Sequence, residues 1–403
     1  MNSILSIYNK GVGPSSSHSM GPRKAAEIFK DKLDSSVDQI MVTLYGSLAA
    51  TGKGHLTDKA ISDVLSGYHV KFIWKPRYEL PLYSNGMVFR AYLRGRQIRS
   101  WTVYSIGGGK IFDGSDKPDK RRTAVYGTDR ITRILSECVR SKRTFFDYLC
   151  SKEDDAFPSA MKSVWAAMKS AVVRGVEAKA NCLPGPLKLK RKARSILHSA
   201  RKHIGTIRDM NLVSAYALAV AEENADGGQI VTAPTCGSCG VLPGILYFLY
   251  QDCHMADADI WKALAVGGLF GVSVASRASI SGAEVGCQGE IGTACAMASA
   301  ATAYLLGGTN EQIEYAAEMG LEHFLGLTCD PVKGFVQIPC IERNAFASMR
   351  ALECASYAVS TDGRHIVSFD DVVSVMNETG RDLQRKYRET SLGGLAGILA
   401  NKL

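Results

Sequence analysis

The chain has 403 residues, 46% of them hydrophobic and 22% charged, which fits a soluble globular protein of two domains and excludes a low-complexity or fibrous one. Its net charge of +9 has one concentrated source, "KLKRKARSILHSARKH" at 188–203. Eleven cysteines, an odd number, follow an N-terminus with no signal-peptide pattern ("MNSILSIYNKGVGP"); together they point to a reducing cytoplasm rather than a disulfide framework.

In chain order, "GPSSSHSMGP" (13–22) predicts a polar loop that opens a helix. Ser15, Ser16, Ser17 and Ser19 surround His18 there. Hydroxyls and exposed amides at a helix start suit a carboxylate or phosphate. The competing reading is a polar tip, and the flanking Gly-Pro pairs favour a defined turn. Strands are expected at 39–47, 68–74, 87–94 and 98–112, all rich in β-branched and aromatic residues. Between the first two lies a helix with Thr57 placed to cap its start and Gly67 near its end. His55, in "TGKGHLTDKA", is either a base or an ordinary surface residue. "SNGM" (84–87) and "GGG" (107–109) are turns. These elements predict an α+β domain over 1–150 with a mostly antiparallel sheet, ending in a charged linker, "SKEDDAF", at 151–157.

Beyond the linker, alanine, glycine and leucine dominate, and an all-α domain is expected over 157–403. "GTACAMASAATAYLLGG" carries no charge over a helix length and suits a helix buried on every side. In 188–203, Leu189, Ile196 and Leu197 form a candidate buried stripe, so the basic run reads as a solvated helix face before a nucleic-acid surface. The uncharged run 229–250 is long enough to span a bilayer, but its prolines and glycines argue against a spanning helix. Within it, Cys236 and Cys239 form a C-x-x-C pair, open to redox or metal use but read first as a tight turn.

Three cysteines have unusual neighbours: Cys287 in "EVGCQGE", Cys329 in "GLTCDPVKG" and Cys340 in "VQIPCIERN". Their spacings of 42 and 11 residues match no zinc-finger or ferredoxin pattern. Their turn and helix-start settings would nonetheless supply free backbone N–H groups to a thiolate. Ligation and buried free thiols both remain open on this ground alone.

Taken together, "GPSSSHSMGP", "LYGSLAATGKGHLTDKA", "SNGM", "YSIGGG", "EENADGGQIVTAPTCGSCGVLPGIL", "SGAEVGCQGEIGTACAM" and "GLTCDPVKGFVQIPCIERNA" closely resemble iron–sulfur L-serine dehydratase, or L-serine ammonia-lyase, in its single-chain form. The resemblance runs from the N-terminus to "DLQRKYRETSLGGLA". It implies an N-terminal domain similar to the allosteric substrate-binding domain of phosphoglycerate dehydrogenase, joined to an all-α catalytic domain holding a [4Fe–4S] cluster. Cys287, Cys329 and Cys340 match the family's cluster ligands and leave one iron open. The implied reaction turns L-serine into pyruvate and ammonia, a step of amino-acid degradation and gluconeogenesis. His18 and His55 are implied as base or substrate contacts, and Ser15, Ser16, Ser17 and Ser19 as holders of the carboxylate. A cytoplasmic homodimer is implied, with a small-molecule substrate and neither nucleic acid nor membrane as partner. A related lyase acting on L-cysteine and a non-catalytic amino-acid sensor are the alternatives.

Two departures stand out. Cys236 occupies a position where the family commonly has Asn, which bears on substrate preference. Many single-chain members also end in a cysteine-bearing tail that enters the active site as a reversible fourth ligand, whereas here the last cysteine is Cys354. Any lag before full activity is therefore expected not to arise from displacement of a C-terminal thiolate. Cysteine-like fourth ligation in the spectrum of the resting enzyme would contradict this.

Overall fold

The computed structural model describes residues 1–33, 37–114, 125–400 and 402 and has an α+β fold. A five-stranded sheet is built from β2 (Gln39–Tyr45), β3 (His69–Lys75), β4 (Gly86–Leu93), β5 (Arg96–Ser105) and β6 (Ile111–Phe112), in the order β3-β2-β4-β5-β6. Only β2 and β3 run parallel, and every other neighbour is antiparallel. The parallel pair needs a crossover, and helix Thr57–Val64 supplies it. The stretch expected as one strand over 98–112 divides into β5 and β6 because Gly107, Gly108 and Gly109 all have positive φ and turn the chain back.

Alternation sets the register of this sheet. Ile40, Val42 and Leu44 of β2 and Met87, Phe89 and Ala91 of β4 are buried in one apolar cluster with Phe29, Leu48 and Ile61 from the covering helices. Thr57 does not cap its helix. Leu56 holds the N-cap position in the left-handed region (φ 56°), and the Thr57 hydroxyl donates instead to the carbonyl of His18. A residue that reads as a local cap thus joins two distant loops.

The helical half is organised around helix Thr293–Leu305, whose residues 293–303 are all buried, as its uncharged small-residue texture implies. It packs against helices Asp257–Arg277, Asn310–Glu322 and Cys340–Val359. Helix Asp257–Arg277 is long and apolar enough to cross a membrane, and its Leu264, Leu269 and Phe270 are buried inside this core. Small residues let the backbones approach closely. A Cβ on Gly267 would lie 2.5 Å from the carbonyl oxygen of Met297, and one on Gly175 would overlap the carbonyl of Ala219 on the neighbouring helix Gly205–Ala225.

Several connections bind the halves. Strand β1 (Lys10–Val12) pairs antiparallel with β7 (Gln229–Val231), a short strand inside the otherwise helical half. Ile4 and Ile7 belong to the helical core, as do Ile131, Ile134, Phe145 and Leu149 from the segment ahead of the charged linker. Glu153 in that linker accepts from Ser3 Oγ, Ile4 N and Tyr126 Oη. In the basic run, Leu189, Ile196 and Leu197 are half-buried, and Arg191 and Lys192 pair with Asp226 and Glu342.

The close helix contact gives a direct test. Gly175→Ala should destabilise the protein by about 1–3 kcal/mol, because the Ala219 backbone cannot yield as a flexible side chain would. An unchanged thermal midpoint would contradict this packing.

Candidate active site

His18 and His55 come together from two loops of the N-terminal half. Residues Ser16–Met20 form a single π-helical turn leading into helix Gly21–Asp31, and Ser15 Oγ accepts from the N–H of His18. Ser19 Oγ donates to the carbonyl of His55 at 2.6 Å, while Thr57 secures the carbonyl of His18. These bonds bring the two rings to a centroid separation of 4.4 Å. His18 is bonded at both nitrogens, through Nδ1 with Ser17 Oγ (2.8 Å) and Nε2 with Ser47 Oγ (3.3 Å). His55 is equally buried, yet neither of its ring nitrogens has a hydrogen-bond partner among the described residues.

One carboxylate faces both rings. Oε1 of Glu389 lies 3.5 Å from His18 Nδ1 and 3.9 Å from His55 Nε2. Burial holds His18 down at about 4, and burial with the neighbouring His18 lowers His55 as well. Burial, aided by Cys287, pushes Glu389 up to about 8. At neutral pH both imidazoles are therefore uncharged.

Cys287 and Cys329 meet beside Glu290, and Cys340 lies within electrostatic reach of Cys287. Cys287 follows Gly286, whose φ of +75° and close approach to the Leu327 carbonyl (2.7 Å for a Cβ) favour glycine. The N–H of Cys329 donates to Tyr387 O, and its carbonyl accepts from the N–H of Glu389 at 2.7 Å. Cys340 opens helix Cys340–Val359. Glu290 Oε2 stands 3.8 Å from Cys287 Sγ and 4.0 Å from Cys329 Sγ. A Cβ on Gly282 would come within 2.9 Å of both Cys329 Sγ and Glu290 Oε2, so the missing side chain leaves space at the sulfurs.

Electrostatics separates the three thiols. A hydrogen bond from Cys329, together with the Arg343 guanidinium, draws Cys287 down to about 6 against the effect of burial. Cys329 is raised by its bond to Cys287 and by burial, and Cys340 by burial and by Cys287. Cys287 is therefore the first thiolate, and Arg343, three residues beyond Cys340, is its counter-charge. Arg343 is held in place by Thr328 O at 2.8 Å and Asp330 Oδ1 at 3.4 Å.

The donor atoms of Cys287, Glu290 and Cys329 lie within 4.8 Å of one another, as do those of His18, His55 and Glu389. Residues 77–396 match the serine dehydratase alpha chain family, and residues 3–73 the serine dehydratase beta chain family. The chain belongs to the serine dehydratase family. It is 38% identical to the L-serine dehydratase of Streptomyces coelicolor over 98% of each chain. It is 39% identical to L-serine dehydratase 1 of Escherichia coli, covering 98% of this chain and 99% of that one. With the L-serine dehydratase of Helicobacter pylori strain 26695 the identity is 36%, at 98% and 99% coverage.

Three of the four serines are engaged by the protein itself: Ser15 on the His18 amide, Ser17 on the His18 ring and Ser19 on the His55 carbonyl. Ser16 makes no side-chain hydrogen bond among the described residues. Cys236 and Cys239 lie in a tight turn closed by Cys239 N to Cys236 O (3.3 Å), and both thiols are raised by burial. Cys236 nevertheless borders the site, with its Sγ 3.4 Å from Met20 Sδ. Glu389, Arg343 and Ser47 were not foreseen as site residues, while Glu290, which flanks Cys287 in the sequence, is open on sequence grounds between joining helix ends and tuning the site. Glu389 lies in "RKYRETS", a stretch without cysteine or histidine, and only its company in space marks it.

The depressed His18 value carries a sign. An unfolded histidine titrates near 6.5, so the contribution of neutral His18 to stability is complete above that pH and is lost as pH falls toward 4. The thermal midpoint should fall across this window, and His18→Gln should flatten the fall. An identical slope in the variant would show that His18 is not the titrating group.

Proposed function

We propose that the chain deaminates L-serine to pyruvate and ammonia, with a [4Fe–4S] cluster held by Cys287, Cys329 and Cys340. The observation that carries this reading is the placement of two buried neutral imidazoles and one carboxylate beside three buried thiols. The donor set suits an iron–sulfur group: soft thiol ligands, a cationic Arg343 to offset thiolate charge, and space at the sulfurs that Gly282 leaves open. When bound, such a group with one open iron supplies a Lewis acid that makes the serine hydroxyl a better leaving group.

The chain's own residues account for the remainder. The Ser16 hydroxyl, left without an internal partner, is available to the substrate carboxylate, while Ser15, Ser17 and Ser19 fix the loop that carries it. His18, bonded on both ring nitrogens, is a fixed wall of the site. His55 Nε2 is free to take the α-proton, and neutrality at working pH is what a general base requires. Glu389, close to His55 Nε2, offers a carboxyl oxygen that can accept a hydrogen bond from the imidazolium as it forms. Enamine tautomerisation and hydrolysis complete the route to pyruvate. Free thiols throughout the described residues support a reducing cytoplasm as the working compartment, and we assign the active form as a homodimer on the family resemblance.

Anaerobic reconstitution with iron and sulfide, followed by assay of pyruvate from L-serine, tests the reading. Cys329→Ala should lose both bound iron and turnover. His55→Ala should keep its iron and lose about 10²- to 10⁴-fold in kcat. Full activity and full iron in Cys329→Ala would sink the proposal, and pyruvate with sulfide from L-cysteine exceeding that from L-serine would move the activity to the related lyase.

A further inference from the structure

Beside the active site lies a cavity of about 470 Å³ that neither the cysteines nor the histidines line. One wall comes from the sheet half, at Ser47 and Ser84, and the other from the helical half, at Ser279 and four arginines: Arg277, Arg381, Arg385 and Arg388. Arg277 is paired with Asp370 (2.6 Å) and Arg385 with Glu79 (3.0 Å). Arg381 and Arg388 have no carboxylate partner among the described residues. Arg388 donates only to the carbonyl of Glu284 through Nη1 (3.3 Å), and its Nε is a buried donor with no acceptor at all. Leaving such a donor unpaired is costly, and an anion in the cavity would satisfy it. The lining carboxylates are Glu79, already engaged by Arg385, and Glu284. The cavity therefore presents two guanidinium groups without an ion-pair partner against one such carboxylate, Glu284, among serine hydroxyls.

Its inner end adjoins the active site. Ser47 lines the cavity and bonds His18 Nε2, while Thr390 on the same wall is the residue after Glu389. We propose that this cavity is a binding site for a small carboxylate, the antechamber through which substrate reaches His18 and His55. The inference rests on the reading of the site as an L-serine deaminase, because both L-serine and pyruvate carry the carboxylate that the arginines would hold. Positive charge along a low-dielectric channel turns the carboxylate of zwitterionic L-serine toward the guanidinium wall, and it raises the local concentration of pyruvate, which is a net anion. Arg388 is a positioning residue at the inner end, and Arg381 a steering residue at the outer one. A ligand without the carboxylate gains nothing from either.

Arg381 is the residue to vary, since it is exposed and its loss breaks no ion pair among the described residues. In reconstituted enzyme, Arg381→Ala should raise the KM for L-serine about threefold and Arg381→Glu on the order of tenfold, with kcat unchanged and Arg381→Lys close to wild type. The decline of pyruvate affinity with ionic strength should be shallower in Arg381→Ala than in wild type, because pyruvate, unlike zwitterionic L-serine, carries a net charge. Pyruvate binding, measured by calorimetry on the same holoenzyme, should weaken in parallel. Wild-type KM, salt dependence and pyruvate affinity in Arg381→Glu would overturn the proposal. A holoenzyme that does not turn over L-serine at all would count against the deaminase reading alone, and the pyruvate titrations would then decide the cavity.

Discussion

Glu389 is the residue on which the two halves of the site depend. Its carboxylate faces His18 and His55, its amide donates to the carbonyl of Cys329, and its own carbonyl accepts from Ser47 Oγ at 2.8 Å. One residue thus uses side chain, N–H and C=O to join the histidine loops to a cysteine-bearing loop. The segment around it is held equally firmly: the Cys329 amide reaches Tyr387, and Ser391 Oγ donates to the carbonyl of Pro331. Neither the histidines nor the cysteines could hold their relative positions if this stretch moved. The site is a property of the assembled chain, because its groups come from near residues 18, 55, 287, 329, 340 and 389.

That dispersion explains which parts the sequence makes legible. The strands β2 to β5 declare themselves by local alternation, and the buried helix Thr293–Leu305 by its uncharged small residues; both signals are short-range. His18, His55 and the three cysteines stand out because their residue types are chemically conspicuous among glycines and serines. Glu389 and Arg343 do not, since glutamate and arginine are usually solvated and local context gives no sign of burial. The pairing of β1 with β7 is likewise hidden, as it joins residues about two hundred positions apart through three-residue strands. Thr57 shows the opposite failure, a persuasive local signal overridden by a distant partner.

The same geometry limits which charges the interior must hold. Two histidines, two glutamates and three cysteines in one buried region would be prohibitive if all were ionised. Burial keeps His18 and His55 uncharged, and raises Glu290 and Glu389 so that their ionised forms are disfavoured. Negative charge is concentrated instead on Cys287, where Arg343 lies within electrostatic reach. Of these groups and Arg343, near neutral pH the charge rests on one thiolate and one guanidinium, the latter also paired with Asp330.

This partition also gives the two sides different work. The thiol side is suited to a soft, electron-rich ligand set, and its charge is balanced by an arginine whose own carboxylate partner, Asp330, is 3.4 Å away. The histidine side is suited to moving a proton, because a neutral imidazole can accept one and a nearby carboxyl oxygen can accept a hydrogen bond from the result. Glu389 belongs to both: the Cys287 thiolate makes its own ionisation less favourable, and a protonated histidine would make it more so. Any proton reaching His55 would therefore be felt at Glu389 and, through it, at the cysteines. The two kinds of chemistry are coupled by one carboxylate.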